Sequence, residues 1–341
     1  MKRALCLLAA LLLATVKTMA EELPERLMNP PAESGPPVVK VSFVLKEVNG
    51  IDDEAETFGF NGFLQLTWKD SRQTFDPGQA GVPEKIYQGS SQLEGMPPAW
   101  YPQLFLVNES GQFETGSVTL RIRPDGTSVL TLAINASASA HLSMRRYPFD
   151  SQKLRAVFEI PGFRSDEVAF EAEKSTFDAG IRIPQWSIQE IAISTTATAV
   201  SPGFALNISV TRDPMFTLRL VALPLALIVM LSWSVFWMER SSLGDRISVS
   251  FVGILTAVAY QIVVGDLLPH VSYVTLMHAF LNLSFFMMCA TVVINLVVGA
   301  CDKNGKIALG DAIDRRCRWI FPLVYIGLLP VIFLIAFRFL P

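Results

Sequence analysis

Two rhythms of apolar and polar residues divide the chain. From Val38 to about Thr211 the apolar positions recur at every second residue. "VVKVSFVLKEV" and "FNGFLQLTWKD" both alternate in this way, the pattern of a strand with one face in a core and the other in water. "LRIRPDGTSVLTLAI" holds two such runs joined by Pro124-Asp125-Gly126, a hairpin signal, and "FALNISVTR" is a further run. Short strands, turns of Gly, Pro and Asp and no sustained helical period predict a β-sandwich. At Arg212-Asp213-Pro214 the alternation stops. Apolar stretches follow at about 215–238, 247–264, 271–300 and 319–340. Each is near the roughly 20 residues that a helix needs to cross hydrocarbon. Pro224, in the first, is tolerated in a membrane helix, and Trp233, Trp237 and Trp319 fall near the expected interfaces. The fold class expected is therefore β plus membrane α: an N-terminal extracellular or periplasmic β-sandwich over 38–213, then a four-helix transmembrane domain over 214–341.

The ends of the chain give this division a direction. "MKRALCLLAALLLATVKTMA" has a basic start, an apolar run too short to span and small residues near Ala20. It reads as a signal peptide over 1–20, and the Pro- and Glu-rich 21–37 as a flexible lead-in. The sandwich is then exported. The 239–246 loop and Cys301–Arg318 lie inside, the latter carrying Lys303, Lys306, Arg315, Arg316 and Arg318 in keeping with the positive-inside rule. Hydrophobic residues at 51% and charged residues at 17% suit a chain that is part membrane and part not. A net charge of -3 without a basic block gives no sign of nucleic acid as a partner. Of the four cysteines, Cys6 falls in the signal peptide and Cys289, Cys301 and Cys317 in the apolar half. The exported region thus has no disulfide. No His/Cys cluster has metal-ligand spacing, no cofactor motif stands out, and neither a Gly-x-Ser-x-Gly nor a His-Glu-x-x-His points to an enzyme.

The second apolar stretch, "DRISVSFVGILTAVAYQIVVGD", runs from Asp245 to Asp266. On a helix turning about 100° per residue, Asp245, Ser248, Val252, Leu255, Ala259, Ile262 and Asp266 share one stripe. The stripe is about 30 Å long. It is acidic, then hydroxylated, then apolar, then acidic. Phe251, Ile254, Val258 and Tyr260 flank it with groups suited to packing. A packed helix with solvated ends would look the same. Repeated around an axis, however, the stripe becomes carboxylate rings that attract cations, with apolar constrictions between them that close by dewetting.

The segment "WSVFWMERSSLGDRISVSFVGILTAVAYQIVVGDLLPHVSYVT" resembles the first-to-third-span core of the pentameric ligand-gated ion channels, specifically their prokaryotic branch. Tyr147-Pro148-Phe149-Asp150 resembles the tip of that family's signature loop, with Ala140 and Leu154 at the places where animal members carry the flanking cysteines. Trp68, Asp70 and Arg72 are similar to its Trp-x-Asp-x-Arg segment. "AWYPQLFLVNE" is similar to its Trp-x-Pro-Asp, with Gln103 in place of Asp. Arg212-Asp213-Pro214 resembles the junction before the first span. The resemblance covers about 38–340. It implies a homopentamer whose second spans line a pore, with Asp245 in the intracellular selectivity ring, Ser248 at the narrow polar ring and Leu255 at the central hydrophobic gate. Val252 departs from the commoner polar residue, which lengthens the dry section.

The resemblance also implies a small-molecule agonist site between sandwiches of adjacent subunits. Phe63, Phe158, Phe163 and Phe204 fall where its aromatics would come from, although phenylalanines on strands are more often core. Aromatics hold amines by cation–π attraction. Arg121 and Arg123 share a strand face and suit a carboxylate ligand, or form an ordinary exposed face; protons are a further candidate trigger. Trp68 is assigned to the core. For coupling, the resemblance points to Tyr147, Pro148, Phe149, Asp150, Arg212 and Pro269, with Asp150 and Arg212 as an ion pair. The reading is a cation-selective channel passing monovalent ions in the bilayer of a bacterial inner membrane. The alternatives are a non-conducting anchored binding module and an anion-selective member of the family.

Overall fold

A computed structural model of the chain describes residues 29–31, 35–94, 99–178, 180–197, 201–239 and 243–339. The expected signal peptide, 1–20, and most of the lead-in lie outside the described residues. The chain divides into two compact units. One holds the described residues up to His141 with Lys153–Ile183 and Ile188–Val210; the other holds Leu142–Gln152, Pro184–Ser187 and the described residues from Thr211 onward.

The first unit is built from strands β1 (Val38–Asp52), β2 (Thr57–Lys69), β3 (Lys85–Gln88), β4 (Phe105–Leu106), β5 (Glu109–Ile122), β6 (Thr127–Ser139), β7 (Ser151–Glu159), β8 (Ala169–Ala172), β9 (Thr176–Phe177), β10 (Trp186–Ala197) and β11 (Pro202–Arg212), except that Ser151–Gln152, Trp186–Ser187 and Thr211–Arg212 at the ends of β7, β10 and β11 belong to the second unit. Among the described residues one sheet has the order β3-β5-β6-β2-β1-β8, with β9 also pairing β1; the other runs β10-β11-β7-β4. The alternation read from the sequence is the alternation of burial. Val39, Val41, Phe43 and Leu45 on β1 are 0% exposed, and Phe58, Phe60, Leu64 and Leu66 on β2 at most 1%. Each such side chain contributes about 1.5–3 kcal/mol by leaving water.

The β5–β6 hairpin turns at Gly126, whose φ of +81 favours glycine. Asp125 fixes that turn by accepting from the Thr127 backbone N–H at 3.0 Å and the Thr127 hydroxyl at 2.9 Å. These bonds, the backbone one first, hold its carboxyl below the usual range. The Trp-x-Asp-x-Arg segment is structural in the same sense. Trp68 is buried and meets Trp100 edge-on at 5.8 Å. Asp70, 0% exposed, accepts from the Arg72 backbone N–H at 3.1 Å and from its Nε at 2.8 Å.

The second unit carries helices α1 (Met215–Trp237), α2 (Leu243–Gly265), α3 (Leu276–Lys303) and α4 (Ile307–Phe339). All four are long and apolar enough to cross a membrane. α1 is π-wound over Leu218–Ala222 just before Pro224. Proline has no N–H for the Leu220 carbonyl, and the Tyr260 hydroxyl of α2 donates to that carbonyl instead.

Three expectations need correction. The fourth helix begins at Ile307 and not near 319, so Arg315, Arg316 and Arg318 lie on its first turns and not in a loop. Hydropathy registers the span of hydrocarbon, and a helix is free to run on past it. The third begins at Leu276 behind a Thr275 cap, because Pro269–Tyr273 is not helical. Trp233 is no interfacial anchor: it is buried against Tyr325, ring centroids 5.5 Å apart.

Gly62, inside β2, is a close-approach glycine. A Cβ there would come within 2.4 Å of the Val44 carbonyl and 2.7 Å of the Phe43 ring. Gly62→Ala should destabilise the sandwich by about 1–3 kcal/mol, read as a lower thermal midpoint of the detergent-solubilised full chain. An unchanged midpoint would mean the strand has room that this packing denies.

Candidate pore and coupling sites

Helix α2 sorts its residues sharply between two faces. Arg246, Ser250, Ala257 and Val264 are at most 2% exposed. Gly253 lets the helix approach α1, since a Cβ there would meet Ser232 Cβ at 3.4 Å. Asp245, Ser248, Val252, Leu255, Ala259, Ile262 and Asp266 are all exposed, with Val252 at 62%, Leu255 at 69% and Ile262 at 74%. The whole stripe read from the sequence thus points away from the rest of its own unit. Of its flanks, Phe251 and Val258 are also exposed, while Ile254 and Tyr260 are half-buried. Hydroxyls on its exposed side are spent locally: Ser248 donates to the Gly244 carbonyl at 2.8 Å and Thr256 to that of Val252 at 2.8 Å. In the most apolar windows of α2 and α4 only 17% of residues are buried, against 39% in α1 and 33% in α3. α1 and α3 therefore form the centre of this unit, and α2 and α4 its margins.

The 142–152 segment belongs to the same unit as the helices. Asp150 and Arg212 make a buried ion pair: Nε to Oδ1 is 2.9 Å, with side chains 4% and 2% exposed for Arg212 and Asp150. The Arg212 backbone N–H donates to the Asp150 carbonyl at 3.1 Å, and Gln152 Nε2 donates to Asp150 Oδ2 at 2.6 Å. The guanidinium lies over the Trp186 ring at 4.1 Å and the Tyr147 ring at 4.9 Å. Two charges are thereby withdrawn from water with most of their hydrogen-bonding capacity used.

Tyr147 and Pro148 are joined by a cis peptide, and both are buried. The Tyr147 hydroxyl bonds with Thr217 Oγ1 at 3.0 Å on α1 and reaches the Leu267 carbonyl at 3.4 Å. Phe149 meets Phe333 of α4 edge-on at 5.6 Å. The α2–α3 link is held at two further points. The Leu276 N–H donates to the Arg145 carbonyl at 3.0 Å, and the Met144 N–H to the Tyr273 hydroxyl at 2.9 Å. Pro269 is buried in that link. The segment 144–150 consequently touches α1, α4 and the link that leaves the exposed stripe of α2. Tyr273 and Thr217 were missed from sequence, since a lone hydroxyl in an apolar context carries no signal of its own.

The candidate ligand residues do not come together. Phe158 and Phe204 are 0% exposed and stack with centroids 5.2 Å apart; Phe170 packs edge-on to Phe204 at 5.1 Å. Their place in a ligand box is corrected to the sandwich core: Phe158 follows Leu154 and Ala156 on the inward phase of β7, and the start of β11 is buried on both faces. Phe163 is half-buried beside Trp100, with ring centroids 6.4 Å apart. Phe63, 41% exposed, keeps a free face. Arg121 and Arg123 are exposed and turn to one carboxylate, Glu84, at 3.6 and 3.7 Å. That is the ordinary-face alternative. Among the described residues no group of His, Cys, Asp or Glu has the geometry of a metal site.

Comparison with known proteins agrees with this division. Residues 16–212 match the model for the neurotransmitter-gated ion-channel ligand binding domain, and 221–307 that for the neurotransmitter-gated ion-channel transmembrane region. The chain is 28% identical over 309 residues to a proton-gated ion channel of Gloeobacter violaceus, covering 87% of this chain and 82% of that one. It is 26% identical over 278 residues to the gamma-aminobutyric acid receptor subunit rho-1 of Mus musculus and of Homo sapiens, covering 77% of this chain but only 56% of those subunits.

Removing one partner of a buried pair strands the other. Asp150→Ala should cost about 3–5 kcal/mol, and Asp150→Ala with Arg212→Met distinctly less. Thermal unfolding of the full chain in detergent measures both; equal losses would show that the pair is not coupled.

Proposed function

The chain belongs to the neurotransmitter-gated ion-channel family, a family of ligand-gated channels and not of enzymes, and on that footing we propose that it is a cation-selective channel assembled as a homopentamer in a bacterial inner membrane, with its sandwich outside. What supports this reading most is the single arc of α2 on which Asp245, Ser248, Val252, Leu255, Ala259, Ile262 and Asp266 are all exposed. In the proposed assembly these arcs face a common axis. Asp245 supplies a carboxylate ring that concentrates cations and repels anions. Val252, Leu255 and Ile262 form the apolar length that shuts by dewetting.

Opening is triggered at the sandwich by a small amine or carboxylate, or by protons. In the first case the agonist sits between sandwiches of neighbouring copies, where Phe63 offers an exposed ring. The trigger reaches the pore through Tyr147, Pro148, Phe149, Asp150 and Arg212. These grip the α2–α3 link at Leu267 and, through their neighbours Met144 and Arg145, at Tyr273 and Leu276.

Purified protein in liposomes, screened by patch clamp against pH and a panel of small amines and carboxylates, should conduct. In a NaCl gradient its reversal potential should lie toward that of Na⁺. Asp245→Lys should move it toward that of Cl⁻; an unmoved value removes Asp245 from the filter, and a chloride-selective parent channel sinks the cation reading. Pro269→Ala should lower the current per assembled channel by about tenfold, while the thermal midpoint stays. A fall in midpoint with normal currents would make Pro269 a packing residue only.

A further inference from the structure

Asp245 and Arg246 are neighbours of opposite charge at the start of α2, and the structure treats them oppositely. Asp245 is exposed, while Arg246 is 1% exposed and ranks among the largest fully buried side chains. Its guanidinium makes a two-pronged bond to Asp314 of α4: Nη1 donates to Oδ2 at 3.0 Å and Nη2 to Oδ1 at 2.8 Å. The Asp314 side chain is 8% exposed. This planar fork is the strong form of a charged pair, and burial would be untenable for either ion alone. The turn that follows is clamped inward as well. Ser250 Oγ donates to the Arg246 carbonyl at 2.9 Å and accepts from Asn295 Nδ2 at 2.9 Å. Asp314 also borders a polar cleft with Trp237, Glu239, Asp311, Arg315 and Arg318. Arg318, the cation one turn along α4, is tied to the Phe236 carbonyl at 2.9 Å.

We infer that Asp314, a residue outside the proposed pore, sets the charge of the pore mouth by holding Arg246 neutralised and turned away from it. This rests on the reading of Asp245 as the selectivity ring. Each copy then contributes the charge of Asp245, because the positive charge beside it is cancelled from the fourth helix. Without Asp314, Asp245 and Arg246 would sum to nothing at the mouth, and cation preference would fade. Asp314 is accordingly a positioning residue for selectivity, acting through Arg246.

The test uses the full-length channel in liposomes and reads the Na⁺/Cl⁻ permeability ratio from reversal potentials. Asp314→Asn should lower the ratio by about fivefold or more. Arg246→Gln together with Asp314→Asn removes both charges and should restore it to within about twofold of the parent. A purely structural pair would not give that recovery of selectivity. A conducting Asp314→Asn channel with the parent ratio overturns the inference. So does a double variant with a severalfold higher ratio, for then Arg246 was already felt in the pore. If Asp314→Asn yields no assembled channel by itself, its co-assembly with excess parent chain takes its place: the mixed channels should show a lowered ratio, and the parent ratio there overturns the inference. Asp245→Asn, run in parallel, separates the failures. If it leaves the ratio unchanged, the ring reading and this inference fall together; if it lowers the ratio while Asp314→Asn does not, only the inference falls.

Discussion

A polar group withdrawn from water among apolar helices must find its partner inside the protein, and that constraint organises the second unit. Arg246 finds Asp314, Ser250 finds Asn295, Ser284 bonds with Tyr325 at 2.8 Å, and the carbonyl left over by Pro224 takes the Tyr260 hydroxyl. Each of these bonds ties one helix to another. α2 is bound to α1, α3 and α4 through different polar residues on one face, so its rotation about its own axis is fixed. That rotation decides which residues are left over, and the leftover face carries the candidate pore stripe.

The leftover face is apolar over most of its length. Val252, Leu255 and Ile262 are each more than half exposed in the single chain, and so are many residues of α4. In the proposed assembly the two margins have different covers. α4 presents Trp319, Leu323, Ile326 and Leu334 without acidic residues among them, a face suited to lipid. α2 presents an apolar run with a carboxylate at each end, which in that assembly lines a narrow aqueous path.

Much of this was legible before the structure, for identifiable reasons. Alternation at period two marks strands because one face of each is buried; the runs at 38–48 and 60–70 fall on Val38–Asp52 and Thr57–Lys69, and Pro124-Asp125-Gly126 marks the β5–β6 hairpin. The stripe on α2 was legible because a helix repeats its faces at fixed angles. Pairing was not. Arg246 and Asp314 lie 68 residues apart, while Asp245 stands next to the arginine in sequence. Nor does residue type reveal which face a ring takes. Phe63 and Phe204 look alike in sequence, yet one is 41% exposed and the other 0%. Helix ends were misread where hydropathy was the only guide, because charge on Arg315 and Arg316 reports the end of hydrocarbon and not of the helix.

The position of the coupling contacts bears on how a pore of this kind would open. The apolar part of the stripe, Val252 to Ile262, is about 15 Å long. An apolar passage of that length expels water once it narrows slightly, so no side chain has to plug it. A small displacement of α2 is then sufficient to wet it, and the displacement is best applied where leverage on the helix is greatest, at its free end. Tyr147 reaches the carbonyl of Leu267, immediately beyond the last turn of α2, while the Arg246–Asp314 fork pins the first turn. One end is anchored by a buried ion pair and the other is held by a long tyrosine contact and a proline-containing link. In the proposed assembly a helix so mounted would tilt from its Leu267 end, and a ring of Asp245 at the anchored end would keep its geometry while the apolar section widens.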